Sequence, residues 1–196
     1  ANVNMTDTDR ITALMLASQN GHEACVCMLL HNGANVNMTD TDCITALMLA
    51  SLNGHELCVC MLVHNEANVN TTNTWGRTAL MLASQKGHGA CVRTLLHNGA
   101  NVNMTDTDRI TALMLASLNG HELCVCMLVH NEANVNTTNT WGRTALMLAS
   151  QKGHGACVRT LLHNGANVNM TDTDRITALM LASQNGHEAC VCMLLH

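Results

Sequence analysis

One heptapeptide, Thr-Ala-Leu-Met-Leu-Ala-Ser, stands at residues 12–18, 45–51, 78–84, 111–117, 144–150 and 177–183. Successive copies are 33 residues apart throughout. A fixed period of this size belongs to repeat architectures, in which each unit buries its apolar face only against its neighbours. The units are residues 1–33, 34–66, 67–99, 100–132, 133–165 and 166–196, with no linker between them. This register predicts one elongated repeat domain. It also bounds the function, because a stack of like units presents a surface and nothing in the unit looks like a reaction centre.

Residues 34–66 show what one unit should fold into. Its first third is rich in Asn, Asp and Thr, whose short side chains bond nearby backbone and favour turns. Thr45 can cap a helix by accepting a backbone N–H. The apolar run after it stops at Asn53-Gly54, a C-terminal cap signal. A second helix is expected from about residue 55 to 64. Neither helix has a clean polar face, as befits layers covered on both sides.

Trp75-Gly76-Arg77-Thr78-Ala79-Leu80-Met81-Leu82-Ala83-Ser84, then Gly87-His88, Cys91-Val92, Leu95-Leu96 and Gly99-Ala100-Asn101-Val102-Asn103, follow in order. This pattern resembles the ankyrin repeat, and the resemblance runs through all six units. It implies an all-α ankyrin-repeat solenoid of helix–turn–helix units with projecting β-turn fingers. Three departures matter. Ala replaces the family's Pro in the first helical turn, losing a preset φ. Met15, Met48, Met81, Met114, Met147 and Met180 stand where the family has His, so its hydrogen bonds between repeats are expected to be missing. Arg10, Cys43, Arg109 and Arg175 take a turn position that the family gives to Gly, which is costly if φ is positive there.

Composition narrows the classes further. The chain has 47% hydrophobic residues, no Pro, Tyr or Phe, and two Trp, so the core must be built from Leu, Val, Ala, Met and Cys. No stretch is long enough to span a membrane and no signal peptide is visible, which excludes a membrane role. The N-terminus lacks Met and starts inside a repeat, like a fragment. Equivalent cysteines in adjacent units should lie about 8–10 Å apart, too far for disulfides. Eleven reduced thiols imply a reducing compartment, cytoplasmic or nuclear. Units three and five are identical, and unit six repeats unit one without its last two residues. That near-identity points to recent duplication or to an engineered chain.

Charge is uneven along the units. Unit three holds Arg77, Lys86 and Arg93 and unit five Arg143, Lys152 and Arg159, with no carboxylate in either, while the other four units are net acidic. The acidic units break any continuous basic track, which argues against nucleic acid. Trp75, Arg77 and Lys86, with Trp141, Arg143 and Lys152, form the most suggestive set. The resemblance places them on finger tips and first-helix ends, where family members bind partners, and Trp and Arg dominate binding hot spots. Ile44, Leu52, Ile110 and Leu118 fill the equivalent positions of units two and four and are expected to add apolar contacts or to cover the neighbouring Trp.

Other constellations carry less. Cys27 and His31 share a helix face while His22 and Cys25 lie on another, and two ligands per face do not close a zinc site; no metal or cofactor is expected. The resemblance makes Cys25, Cys58, Cys91, Cys124, Cys157 and Cys190 core residues and leaves Cys27, Cys60, Cys126 and Cys192 accessible. Asn4-Met5-Thr6 and its equivalents fit a glycosylation sequon, but Asn suits the turn itself. Ser18 and Thr12 have no His–Asp partners at plausible spacing, so catalysis is unsupported. The sequence therefore predicts a non-enzymatic protein-interaction scaffold with an acidic protein partner, or a structural scaffold without one. Internal-type units at both ends further predict head-to-tail self-association.

Overall fold

The computed structural model describes residues 2–196. The chain divides into two compact units, Ala1–Asn101 and Val102–His196. The first holds α1 (Ala13–Gln19), α2 (Glu23–His31), α3 (Ala46–Asn53), α4 (Glu56–His64), α5 (Ala79–Lys86) and α6 (Gly89–His97). The second holds α7 (Ala112–Leu118), α8 (Glu122–His130), α9 (Ala145–Lys152), α10 (Gly155–His163), α11 (Ala178–Gln184) and α12 (Glu188–Leu195). Within each, the repeats' first helices pack side by side as one row, α1–α3–α5 or α7–α9–α11. The second helices form a parallel row, α2–α4–α6 or α8–α10–α12, and every first helix also packs on its own second helix. Among the described residues there is no strand, and single antiparallel bridges such as Thr39 with Thr45 and Thr105 with Thr111 close the fingers.

The heptapeptide dictates the local structure. Each of the six Thr residues sits in extended backbone and caps its helix, as when Thr45 Oγ1 accepts from Met48 N at 3.2 Å. Such a cap contributes on the order of 1 kcal/mol. Gly54, Gly87 and Gly153 end their helices in the left-handed conformation, at φ 74–79°. The Ala, Leu and Met of the heptapeptide then fill the inside: Leu47, Met48, Leu113, Met114, Leu146 and Met147 are each 1% exposed. Burying one such side chain contributes roughly 1.5–3 kcal/mol.

Within each compact unit, two sets of polar side chains pin one layer to the next. Asn37 Nδ2 donates to Glu66 O at 3.1 Å while its Oδ1 accepts from Asn68 N at 2.8 Å. Asn103 and Asn136 make the same pair of bonds to Glu132 and Asn134 and to Gly165 and Asn167. These are sequon asparagines, and their amides are committed to the stack. The second set corrects an expectation. Met at the family's His position does remove that residue's hydrogen bond, yet histidines still bridge the layers from elsewhere. His55 Nε2 donates to Gln19 O at 3.0 Å, and His88, His154 and His187 donate to Leu52, Leu118 and Gln151 carbonyls at 3.1 Å. Each ring lies over the glycine that ends the preceding layer's first helix. A Cβ on Gly54 or Gly120 would stand 2.6 Å from His88 or His154 Nδ1, so glycine is required there for space as well as for φ.

Candidate interaction surface

In each finger a single Asx side chain fixes the tip. Asn139 is 4% exposed, and its Oδ1 accepts from the backbone N–H of Trp141 at 3.0 Å and of Arg143 at 2.9 Å. Asp172 does the same for Asp174 and Ile176. In the first compact unit Asn73 holds Trp75 and Arg77 at 3.1 and 2.9 Å. The tip is thus a rigid platform. It presents indoles that are half open to solvent, with Trp75 at 51% and Trp141 at 50% exposure.

Around Trp141 the second compact unit forms a groove of about 740 Å³. Ile110, Leu118, Trp141, Arg143 and Lys152 all line it. Five residues chosen from two different repeats therefore meet in one place. Met114, Leu115 and Leu148 give the groove an apolar floor, and Asp172, Thr173 and Asp174 of the next finger form part of its wall. These finger residues are not evident from the repeat pattern, because they belong to a unit that carries neither Trp nor a net positive charge.

Arg143 does not stand free in this groove. Its Nε meets Asp172 Oδ2 at 3.3 Å and its Nη1 donates to Gln151 Oε1 at 3.3 Å. The Asp172 side chain is 1% exposed and that of Arg143 30%. A carboxylate this deeply buried requires its cation, so Arg143 serves the fold first and can offer a partner only its remaining donors and its guanidinium face. Lys152 is exposed and makes no side-chain hydrogen bond or ion pair among the described residues, and neither does the exposed Asp174 carboxylate. The groove's two cations are matched by two carboxylates, so it has no strong bias toward an acidic partner.

The equivalent residues of the first compact unit have the same character. Ile44, Leu52 and Arg77 are half-buried and Lys86 is exposed. Arg77 Nη1 reaches Gln85 Oε1 at 3.4 Å. Every groove residue has an identical counterpart two repeats earlier in the sequence, from Ile44 for Ile110 to Lys86 for Lys152.

Comparison with known families decides the lineage. The family description "Ankyrin repeats (3 copies)" matches residues 1–73, 47–139 and 113–196. The chain belongs to the ankyrin-repeat family. Among curated proteins none matches it. Ankyrin repeats are protein-interaction modules as a rule, and the half-open Trp141 groove on first helices and fingers suits that role.

The ankyrin register also sorts the thiols, with one correction. Cys58, Cys91, Cys124, Cys157 and Cys190 are buried, but Cys25 is exposed. This position faces the preceding layer, and no described layer precedes α2, so place in the stack rather than residue type decides its burial. Burial pushes the Cys124 thiol up to about 11. Cys157 also rises to about 11, through burial and then the nearby Glu122 carboxylate. Those sulfurs stay protonated and inert at neutral pH. Cys27, Cys126 and Cys192 are exposed and Cys60 is half-buried. Cys60 and Cys126 contact Thr94 and Thr160 hydroxyls at 3.7 Å. None of the eleven cysteines is in a disulfide. Among the described residues no three His, Cys, Asp or Glu side chains gather closely enough to hold a metal, and no helix is long and apolar enough to cross a membrane.

Proposed function

We propose that this ankyrin-repeat protein is a non-catalytic interaction module that receives a protein segment in the Trp141 groove, with a sequence-identical counterpart centred on Trp75. One observation supports this reading above the rest. Ile110, Leu118, Trp141, Arg143 and Lys152 line a single groove with an apolar floor and a half-exposed indole. A large aromatic kept half open on a rigid tip suits a binding anchor. The segment that fits best carries an apolar or aromatic side chain for the indole, flanked by a carboxylate for Lys152 and a polar or basic group for Asp174. Eleven cysteines with no disulfide among them favour a reducing compartment, cytoplasm or nucleus.

The test compares partners captured by the intact chain with those captured by Trp75→Ala/Trp141→Ala. Loss of both indoles is expected to weaken a genuine groove partner at least tenfold, since a hot-spot Trp contributes about 2 kcal/mol or more. A partner held equally well by the double variant would overturn the groove reading. Failure to capture any partner would favour the alternative, a structural or engineered scaffold, which the near-identity of the repeats supports.

A further inference from the structure

In the second compact unit α7, α9 and α11 lie side by side, and the Trp141 groove takes residues from all three of their layers. Each layer contributes a different chemistry. The α7 layer gives apolar side chains, Ile110, Met114, Leu115 and Leu118, and no charge, for Asp106 and Asp108 of its finger do not line the groove. The α9 layer gives Trp141 and the two cations, Arg143 and Lys152. The α11 layer gives only finger residues, Asp172, Thr173 and Asp174. Apolar, basic and acidic lining therefore follow one another along the row of layers.

One of the two charge pairs is used up inside the wall. Arg143 Nε meets Asp172 Oδ2 at 3.3 Å, and the Asp172 side chain is 1% exposed. Lys152 and Asp174 are exposed, and neither side chain makes a hydrogen bond or ion pair among the described residues. Both stand on fixed backbone. Lys152 is the last residue of α9, and Asp174 N donates to Asp172 Oδ1 at 3.0 Å. Thr173 N donates to the Trp141 carbonyl at 3.1 Å, which ties this finger to the one that carries the indole. The open charges are thus one cation and, a layer further on, one carboxylate, held in a set order beside an apolar layer.

The layer step sets a spacing. Packed helices stand about 8–10 Å apart and an extended chain advances about 3.3 Å per residue, so one layer matches about three residues. A helix with its side chains is about 10–12 Å across, so the groove volume given above would enclose only about 7–9 Å of one. An extended segment reaches from layer to layer inside it where a helix does not.

We propose that the order of charges selects the partner: the Trp141 groove takes an extended protein segment in which a carboxylate stands about three residues from an apolar anchor and a Lys or Arg about three residues beyond, in either chain direction. This rests on the groove reading above and adds to it the order and spacing of the charges. The anchor lies on the α7 layer against the indole, the carboxylate pairs with Lys152, and the cation pairs with Asp174. Lys152 and Asp174 are then the residues that determine specificity. A segment of the same composition with its two charges exchanged sets like charge on like at both places, which rejects it.

A random peptide display library, selected on the full chain carrying Trp75→Ala, tests this. That change removes the sequence-identical counterpart and leaves Trp141 as the only tryptophan, so its fluorescence reports the groove. Selected peptides are expected to shift Trp141 emission and to carry the acidic residue nearer the anchor than the basic one. Lys152→Glu/Asp174→Lys keeps the net charge and reverses the order. It is expected to bind those peptides at least about fivefold more weakly and to select peptides with the basic residue nearer. Should this variant fail to fold by circular dichroism, Asp174→Lys replaces it and is expected to select a second acidic residue in place of the basic one; an unchanged selection overturns the proposal. Peptides that shift Trp141 emission but show no charge order, or keep the same order on the exchanged variant, overturn this proposal and leave the groove reading standing. Peptides that leave Trp141 emission unchanged, or a library that yields no binder, overturn the groove reading and this proposal with it.

Discussion

Six residues other than glycine hold φ between 60° and 66°, and they fall at two places in the repeat. Arg10, Cys43, Arg109 and Arg175 sit at the finger position where Gly76 and Gly142 serve elsewhere, so their strain is legible from the sequence. Glu66 and Glu132 sit past the second helix, where Gly33, Gly99 and Gly165 hold φ of 79–82°. This second strain was just as available in the repeat alignment, but a glutamate in a polar loop attracts no notice. A Cβ on Gly99 or Gly165 would meet nothing within 4 Å, so the cost at Glu132 is one of backbone conformation alone. Left-handed backbone costs about 1–2 kcal/mol for an L residue, and glycine's greater freedom in the unfolded chain takes back roughly half of that. Glu66→Gly/Glu132→Gly is therefore expected to raise stability by about 1–2 kcal/mol over the two sites in urea unfolding. An unchanged or lower midpoint would show the strain to be relieved elsewhere. Ser18, Ser51, Ser84, Ser117 and Ser150 take the same place in their repeats and are fully buried, and their hydroxyls find no partner among the described residues.

At the scale of the element, helix boundaries were readable because caps are local. Thr45, Asn53-Gly54 and the 33-residue period place α3 and α4 without any tertiary information. The histidine bridges were not readable. Their acceptors are main-chain carbonyls one layer away, which leave no mark in the sequence, and Gly-His reads as punctuation between two helices. Arg143 gives the same lesson. Its surroundings in sequence mark it as a binding residue, but its ion-pair partner Asp172 lies in the next finger and looks like any other turn aspartate. The bridge can be isolated experimentally, because His154 precedes α10 without a side-chain capping bond. His154→Ala then removes only the bond to Leu118 O and the ring over Gly120. The expected loss is about 1–2 kcal/mol, seen as a lower urea midpoint, against almost none for the exposed Lys152→Ala. Equal effects from the two changes would mean that the histidines do not hold the layers together.

For the molecule as a whole, identical units acquire different roles from their place in the stack. Cys25 and Cys58 share a sequence context, yet one is exposed and the other buried; Met180 and Met147 differ in the same way. Against that uniform background the Trp-bearing units stand out, because they combine an open indole with a cation on otherwise acidic surroundings. A partner is proposed to enter beside Trp141. Amide hydrogen exchange of the chain, alone and saturated with a captured partner, tests it most directly. Slowed exchange is expected across the Asn139–Arg143 finger and the ends of α7 and α9 next to Leu118 and Lys152, with α8 and α10 unchanged. Protection confined to α8 and α10, with the Trp141 finger exchanging as in the free chain, would contradict it.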